Sequence, residues 1–198
     1  MRGCVGLCEA CIHGKQHRLP FPSSNKCAYH KLDLVHLDVC GSLLFSLGRK
    51  CYFVTFIDDY SCKIWLYLIH YKGKPFTKFC ELNAQAELQS GCQLKVLCTN
   101  GGGEYTSFEF EGYLNNCGVI HEKTVSHTPE QNGLVEVVNR IIIEQLRCML
   151  HDANLPTGFW AEAEITATYL TNWSPISQLP DMTPEEAWFK IKPNITPL

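Results

Sequence analysis

Three polar side chains stand where strand-like and helix-like runs begin or end. Asp38 lies in HLDVCG, Asn100 in LCTNGGGEY and Glu136 in NGLVEVVNR. Asn100 and Glu136 are separated by 35 residues. A strand that stops at a polar residue followed by glycines is a place where chains set a catalytic carboxylate, and here a neutral amide occupies it. An Asp on a strand and a Glu on a helix occur in most α/β proteins, so these three alone assign no reaction. The same stretch holds a second reactivity. Asn100-Gly101 is prone to deamidation, because glycine does not hinder attack of its backbone nitrogen on the asparagine amide. Near the start, Cys8-Glu9-Ala10-Cys11 is a C-x-x-C, half of a typical zinc site, with Cys4, His13 and His17 as further donors. The alternative for the pair is two reduced thiols without metal. Asp58 and Asp59 fall at a turn and suit turn chemistry. His36 and His127 stand alone in the sequence.

The elements that must position these groups are legible from periodicity. In KLDLVHLDVCG, Val35, Leu37 and Val39 alternate with Leu34, His36 and Asp38, which predicts a half-buried strand ending at Gly41. KCYFVTFIDD and KIWLYLIHY, joined around DYSC, read as a β-hairpin. Helical spacing runs from Lys74 to Gln89. KVLCT predicts a fourth strand, Ser107–Asn116 a short helix and CGVIHEK a fifth, short strand. A long helix opens at HTPEQNG, with Thr128 as N-cap, Pro129 at the first helical position and Gln131 at the capping-box position. Its apolar stripe is Val135, Val138, Ile142, Leu146 and Met149. PTGFWAEAEITATYLTNW and TPEEAWFKI predict two further helices. The expected fold is a mixed α/β sheet with helices on its faces, the first three strands antiparallel and the last two joined by crossovers.

Composition narrows the class. The chain has 198 residues, 45% hydrophobic and 19% charged, with a net charge of -3 and a pI near 6.2. That fits a globular domain and argues against a tight, non-specific nucleic-acid binder. Residues 1–31 hold Arg2, Lys15, Arg18, Lys26 and Lys31 against Glu9, which reads equally as a basic arm or a solvated tail. Twelve cysteines are present. With no uninterrupted apolar core at the start and no apolar run approaching the ~18 residues of a membrane span, they are expected to be reduced, intracellular thiols.

Several words in order carry a family resemblance: HLDVCG, FVTFIDDYS, NGGGEYTSFEFEGYL, HTPEQNGLVEVVNR and LPTGFWAEA. Together they resemble the integrase core of Copia-type LTR retrotransposons, and CEACIHGKQHRLPF resembles the end of the segment that precedes it. The resemblance runs from about Cys8 to the C-terminus. It implies an RNase H-like fold with a five-stranded mixed sheet. It divides the chain into a truncated zinc-binding-like segment and linker (1–30), a catalytic core (31–173) and a C-terminal helical extension (174–198).

The family's site is a D…D-35-E set of carboxylates holding two Mg²⁺ or Mn²⁺ ions roughly 3.5–4 Å apart, used to process and join DNA ends. Asp38 matches the first carboxylate and Glu136 the third. The second should be Asp at position 100, where this chain has Asn, and Glu104 matches its own family position. Hard dications prefer anionic oxygen, so the resemblance implies a weakened Mg²⁺/Mn²⁺ site and an impaired polynucleotidyl transferase. The alternatives are a non-enzymatic DNA-binding or assembly module and an unselected remnant.

Cys62, Cys98, Val137 and Trp173 replace Arg or Lys of the family, which would weaken phosphate contacts. Asn132, Asn139 and Arg140, at -4, +3 and +4 from Glu136, are the expected nucleic-acid contacts. The family's zinc site is HHCC, and its two histidines fall upstream of Cys8 and are not in this sequence. DNA, further copies of the chain and a nuclear location are implied, and no membrane.

Overall fold

The computed structural model describes residues 28–41, 45–73, 75–124 and 129–192, without the side chains of 129–132. The expectations for Cys8, Cys11, His127 and Thr128 lie outside the described residues, as does the side chain of Asn132.

Five strands form one sheet in the order β3-β2-β1-β4-β5. They are β1 Leu34–Cys40, β2 Tyr52–Asp58, β3 Ile64–Ile69, β4 Val96–Asn100 and β5 Ile120–Thr124. β1 to β3 are antiparallel, whereas β4 runs parallel to β1 and β5 parallel to β4. The helices are α1 Pro75–Ser90, α2 Phe108–Cys117, α3 Pro129–Asp152, α4 Trp160–Trp173 and α5 Pro184–Phe189. The mixed sheet, the hairpin and the crossovers agree with the expected topology. Boundaries moved where caps decide them. Ser107 accepts a hydrogen bond from Phe110 N–H and starts α2, and Gly118, at φ +70°, ends it, so β5 begins only at Ile120. A left-handed residue after a helix is best supplied by glycine, which has no Cβ to clash.

Strand alternation splits the core in two. Val35, Leu37, Val54, Phe56 and Leu97 face α1 and α2, where they meet Phe79, Leu82, Phe110 and Leu114. On the other face, Phe53 and Ile57 meet Val135, Ile142 and Leu146 of α3 and Ala161 and Ala167 of α4. Asp38 belongs to this second face, beneath α3. Among the described residues no disulfide is present, and no helix is long and apolar enough to cross a membrane.

The C-terminal helix is built into the first core. Thr183 and Glu186 form a capping box at its start. Trp188 is 1% exposed and meets Trp65 edge-on, with centroids 4.8 Å apart, while its Nε1 donates to Gln89 Oε1 at 3.3 Å. Lys31 Nζ donates to the Trp188 carbonyl, and Lys63 pairs with Glu185. Trp188→Ala should therefore lower stability by about 3–5 kcal/mol, read as a shift of the urea midpoint with an unchanged slope.

Candidate active site

Parallel pairing of β1 with β4 aligns Leu37 with Thr99, so Asp38 and Asn100 emerge side by side at one end of the sheet. Asn100 Nδ2 donates to Asp38 Oδ1 at 2.8 Å. Its other end is also committed, since Asn100 Oδ1 accepts from Gly102 N–H at 3.1 Å. These two partners fix the amide's orientation, because the reversed one would set oxygen against carboxylate and NH₂ against N–H. The second carboxylate oxygen is held from α3, where Asn139 Nδ2 donates to Asp38 Oδ2 at 3.1 Å. Thr55, paired with Asp38 across β1 and β2, donates its hydroxyl to Asn139 Oδ1 at 2.7 Å. Both oxygens of Asp38 are thus occupied by protein amides. Each bond to a charged acceptor contributes about 1.5–3 kcal/mol.

The Asp38 carboxyl is pushed up to about 6, by burial first and then by the charges of Glu136 and Glu104, against the opposing hydrogen bonds of the Val39 backbone and the Asn139 amide. Glu136 is exposed on α3 and close enough for its charge to act on Asp38. Asp38, Asn100 and Glu136 are therefore brought to one place, two in direct contact and the third through its field. Arg140 is exposed on the same helix. Asn139, expected among the nucleic-acid contacts, is 5% exposed, and both ends of its amide are engaged inside the protein. It holds Asp38 in place. Cys98 is buried in β4, whereas Val137 is exposed.

Two further participants, Thr55 and Glu104, carried little signal in periodicity or spacing. Thr55 is a lone polar residue in an apolar run. Glu104 folds back over the glycines, where a Cβ on Gly102 would lie 2.7 Å from its carboxyl carbon, and Lys72 pairs with it at 3.1 Å. His36 is not isolated, since its Nε2 lies 3.3 Å from Asp59 Oδ1, whose partner oxygen accepts from Ala28 N–H. Asp58 anchors the turn as expected, accepting from Leu32 N–H, Ser61 N–H and the Ser61 hydroxyl.

The residues present do not fit a pair of dications. An N–H donor, rather than an anionic oxygen, meets Asp38 Oδ1, and the amide oxygen of Asn100 is already taken by Gly102. Among the described residues no group of three or more His, Cys, Asp or Glu side chains could hold a metal ion.

The strand order, the flanking helices and the Asp–amide pair under the long helix define the RNase H-like fold of an integrase catalytic core. No protein-family model matches the chain. It is 47% identical over 185 residues to the retrovirus-related Pol polyprotein from transposon TNT 1-94 of Nicotiana tabacum, covering 93% of this chain and 14% of that protein. It is 30% identical over 187 residues to the Pol polyprotein from transposon RE2 of Arabidopsis thaliana, covering 94% and 13%. The chain thus spans about one seventh of the length of these curated relatives.

Among solved structures, a chain of the simian T-cell lymphotropic virus intasome bound to the PP2A regulatory subunit B56 gamma superposes with a TM-score of 0.69. The identity is 18%, and 96% of this chain and 68% of that one are covered. The HTLV-2 integrase catalytic core domain in complex with magnesium gives a TM-score of 0.58 at 19% identity, with 81% and 98% covered. The chain is a homologue of the integrase catalytic core in Copia-type Pol polyproteins.

Proposed function

We propose that this chain is the core segment of a retrotransposon integrase that engages DNA as part of a homo-oligomer in the nucleus, and that Asn100 impairs its metal-dependent cleavage and joining of DNA ends. One observation carries the impairment: the Asn100 amide donates to Asp38 at 2.8 Å, where a cation-binding site needs a second anion. Support for DNA as the partner comes from the relatives, transposon polyproteins by name, and from the intasome chain of the same fold. Asn132, on the first turns of α3, and exposed Arg140 are the chain's own candidates for phosphate or base contacts.

The test is end processing and strand transfer on duplexes carrying the element's terminal sequences, in Mg²⁺ and in Mn²⁺, for the wild type and Asn100→Asp. Loss of a group that merely supports a metal ligand costs roughly 10–100-fold, so loss of a ligand itself should leave the wild type at least about 100-fold below the variant. Equal rates would overturn the reading. DNA binding is separable from cleavage. It should weaken with salt, and Arg140→Ala should reduce the slope of log K against log salt by about 1.

A further inference from the structure

Two Asn-Gly pairs occur in the sequence, Asn100-Gly101 and Asn132-Gly133, and the fold treats them differently. We propose that Asn100 is a site of spontaneous covalent modification in the folded protein, its side-chain amide being converted to an acid through a cyclic imide formed with Gly101.

In the first step the backbone nitrogen of Gly101 gives up its proton and bonds to Cγ of Asn100. Negative charge develops on Oδ1. The Cγ–Nδ2 bond then breaks, and the nitrogen takes up a proton and leaves as ammonia. In the second step water adds to one of the two imide carbonyls and opens the ring, giving either the aspartyl or the isoaspartyl linkage. The balance is one water consumed and one ammonia released, with no change of oxidation state.

The surroundings of Asn100 suit each part of this sequence. Gly102 N–H already donates to Oδ1 at 3.1 Å. It stands where a backbone donor stabilises the charge that grows on that oxygen, by the same logic as an oxyanion hole. Asn100 is the last residue of β4, and Gly101 is exposed, so solvent reaches the attacking nitrogen and can carry the proton to the departing one. The leaving nitrogen points at Asp38 rather than into a backbone ladder. Asn132-Gly133 has the same local chemistry and the opposite setting. It lies within α3, where helical geometry ties each backbone N–H to the carbonyl four residues back, so the attacking nitrogen is withheld.

Conversion changes the site. A carboxylate replaces the donor that now meets Asp38 Oδ1, and two carboxyls that close either share a proton or bind a cation. This consequence, unlike the modification itself, rests on the reading that Asn100 is what disables the cation site.

The experiment uses the whole chain. Protein is incubated at mildly alkaline pH, natively and in urea, then digested and analysed by peptide mass spectrometry for acid and isoaspartyl forms at both positions. In the native protein Asn100 should convert several-fold faster than Asn132, and in urea the two rates should converge. Gly101→Ala is the control. Gly101 is not in the left-handed region, and an added Cβ would meet its nearest neighbour, the Thr124 carbonyl, at 3.7 Å. That variant should fold as the wild type does and lose most conversion at Asn100, because the methyl group hinders the attack. Native protein in which Asn100 stays intact, or converts no faster than Asn132, overturns the proposal. Mn²⁺ binding of aged protein, measured by electron paramagnetic resonance, separates the two claims. A gain tracking the aspartyl fraction supports both. No gain despite conversion leaves the modification standing and overturns the cation-site reading.

Discussion

Replacing Glu164 with methionine should stabilise this protein by about 3 kcal/mol at pH 7. Glu164 is 0% exposed, and neither of its carboxyl oxygens has a hydrogen-bond partner among the described residues. The Thr168 hydroxyl, one turn on, is in the same condition. Around them lie Trp160, Ala161 and Ala167, each buried. Burial alone pushes the Glu164 carboxyl from 4.5 up to about 9.

The sign follows from which state holds the proton. The unfolded chain releases it near pH 4.5, whereas the folded chain keeps it until about pH 9. Below pH 4.5 both states are protonated and nothing is lost. Across the window stability falls by about 1.4 kcal/mol per pH unit, and above it the loss is constant. Methionine is of similar length, carries no desolvated oxygen and removes the dependence. Urea midpoints at pH 5, 7 and 8.5 should fall steadily for the wild type relative to Glu164→Met. Parallel pH profiles for the two proteins would show that Glu164 is solvated or paired after all.

The second large effect is expected from Asn100→Asp, measured as melting temperature with and without Mn²⁺. Without cation the variant loses the Asn100 donation to Asp38, a charge-assisted bond whose removal costs about 1.5–3 kcal/mol. It also sets two carboxyls against each other. Proton uptake relieves that repulsion, so the variant should recover as pH falls. Mn²⁺ relieves it differently, since a ligand at 100 times its Kd adds about 2.7 kcal/mol to the state that binds it. The wild type, whose Asp38 oxygens are both held by amides, should melt at the same temperature in either buffer. A wild-type melting temperature that rises with Mn²⁺ as steeply as the variant's would show that the amide yields to the ion.

Much of the frame was legible because it depends on short-range pattern. The alternation around Val35, Leu37 and Val39 placed Asp38 on the opposite face before any partner was known. Pro129 at a helix start and the glycines after Asn100 marked element ends. The site itself needed information that no local pattern carries. Only the parallel pairing of β1 with β4 makes Asn100 a donor to Asp38. Asn139 was expected to contact nucleic acid from the Glu136 side of α3, yet three residues along a helix leave the two side chains about 60° apart around its axis. That is enough to turn one side chain inward and leave the other in solvent. Thr55 gave almost no warning. Glu164 carries no mark of burial in WAEAEITAT, yet it shares the buried side of α4 with Ala161, Ala167 and Thr168.

The Lys31 ammonium on the Trp188 carbonyl brings the first and last of the described elements to one corner of the molecule. Any polypeptide attached before and after it must then leave from neighbouring points, as the strands of a loop leave a knot. A unit wired in this way can sit inside a long polyprotein without its neighbours being pulled apart when it folds, and it tolerates being cut out or spliced in as a block.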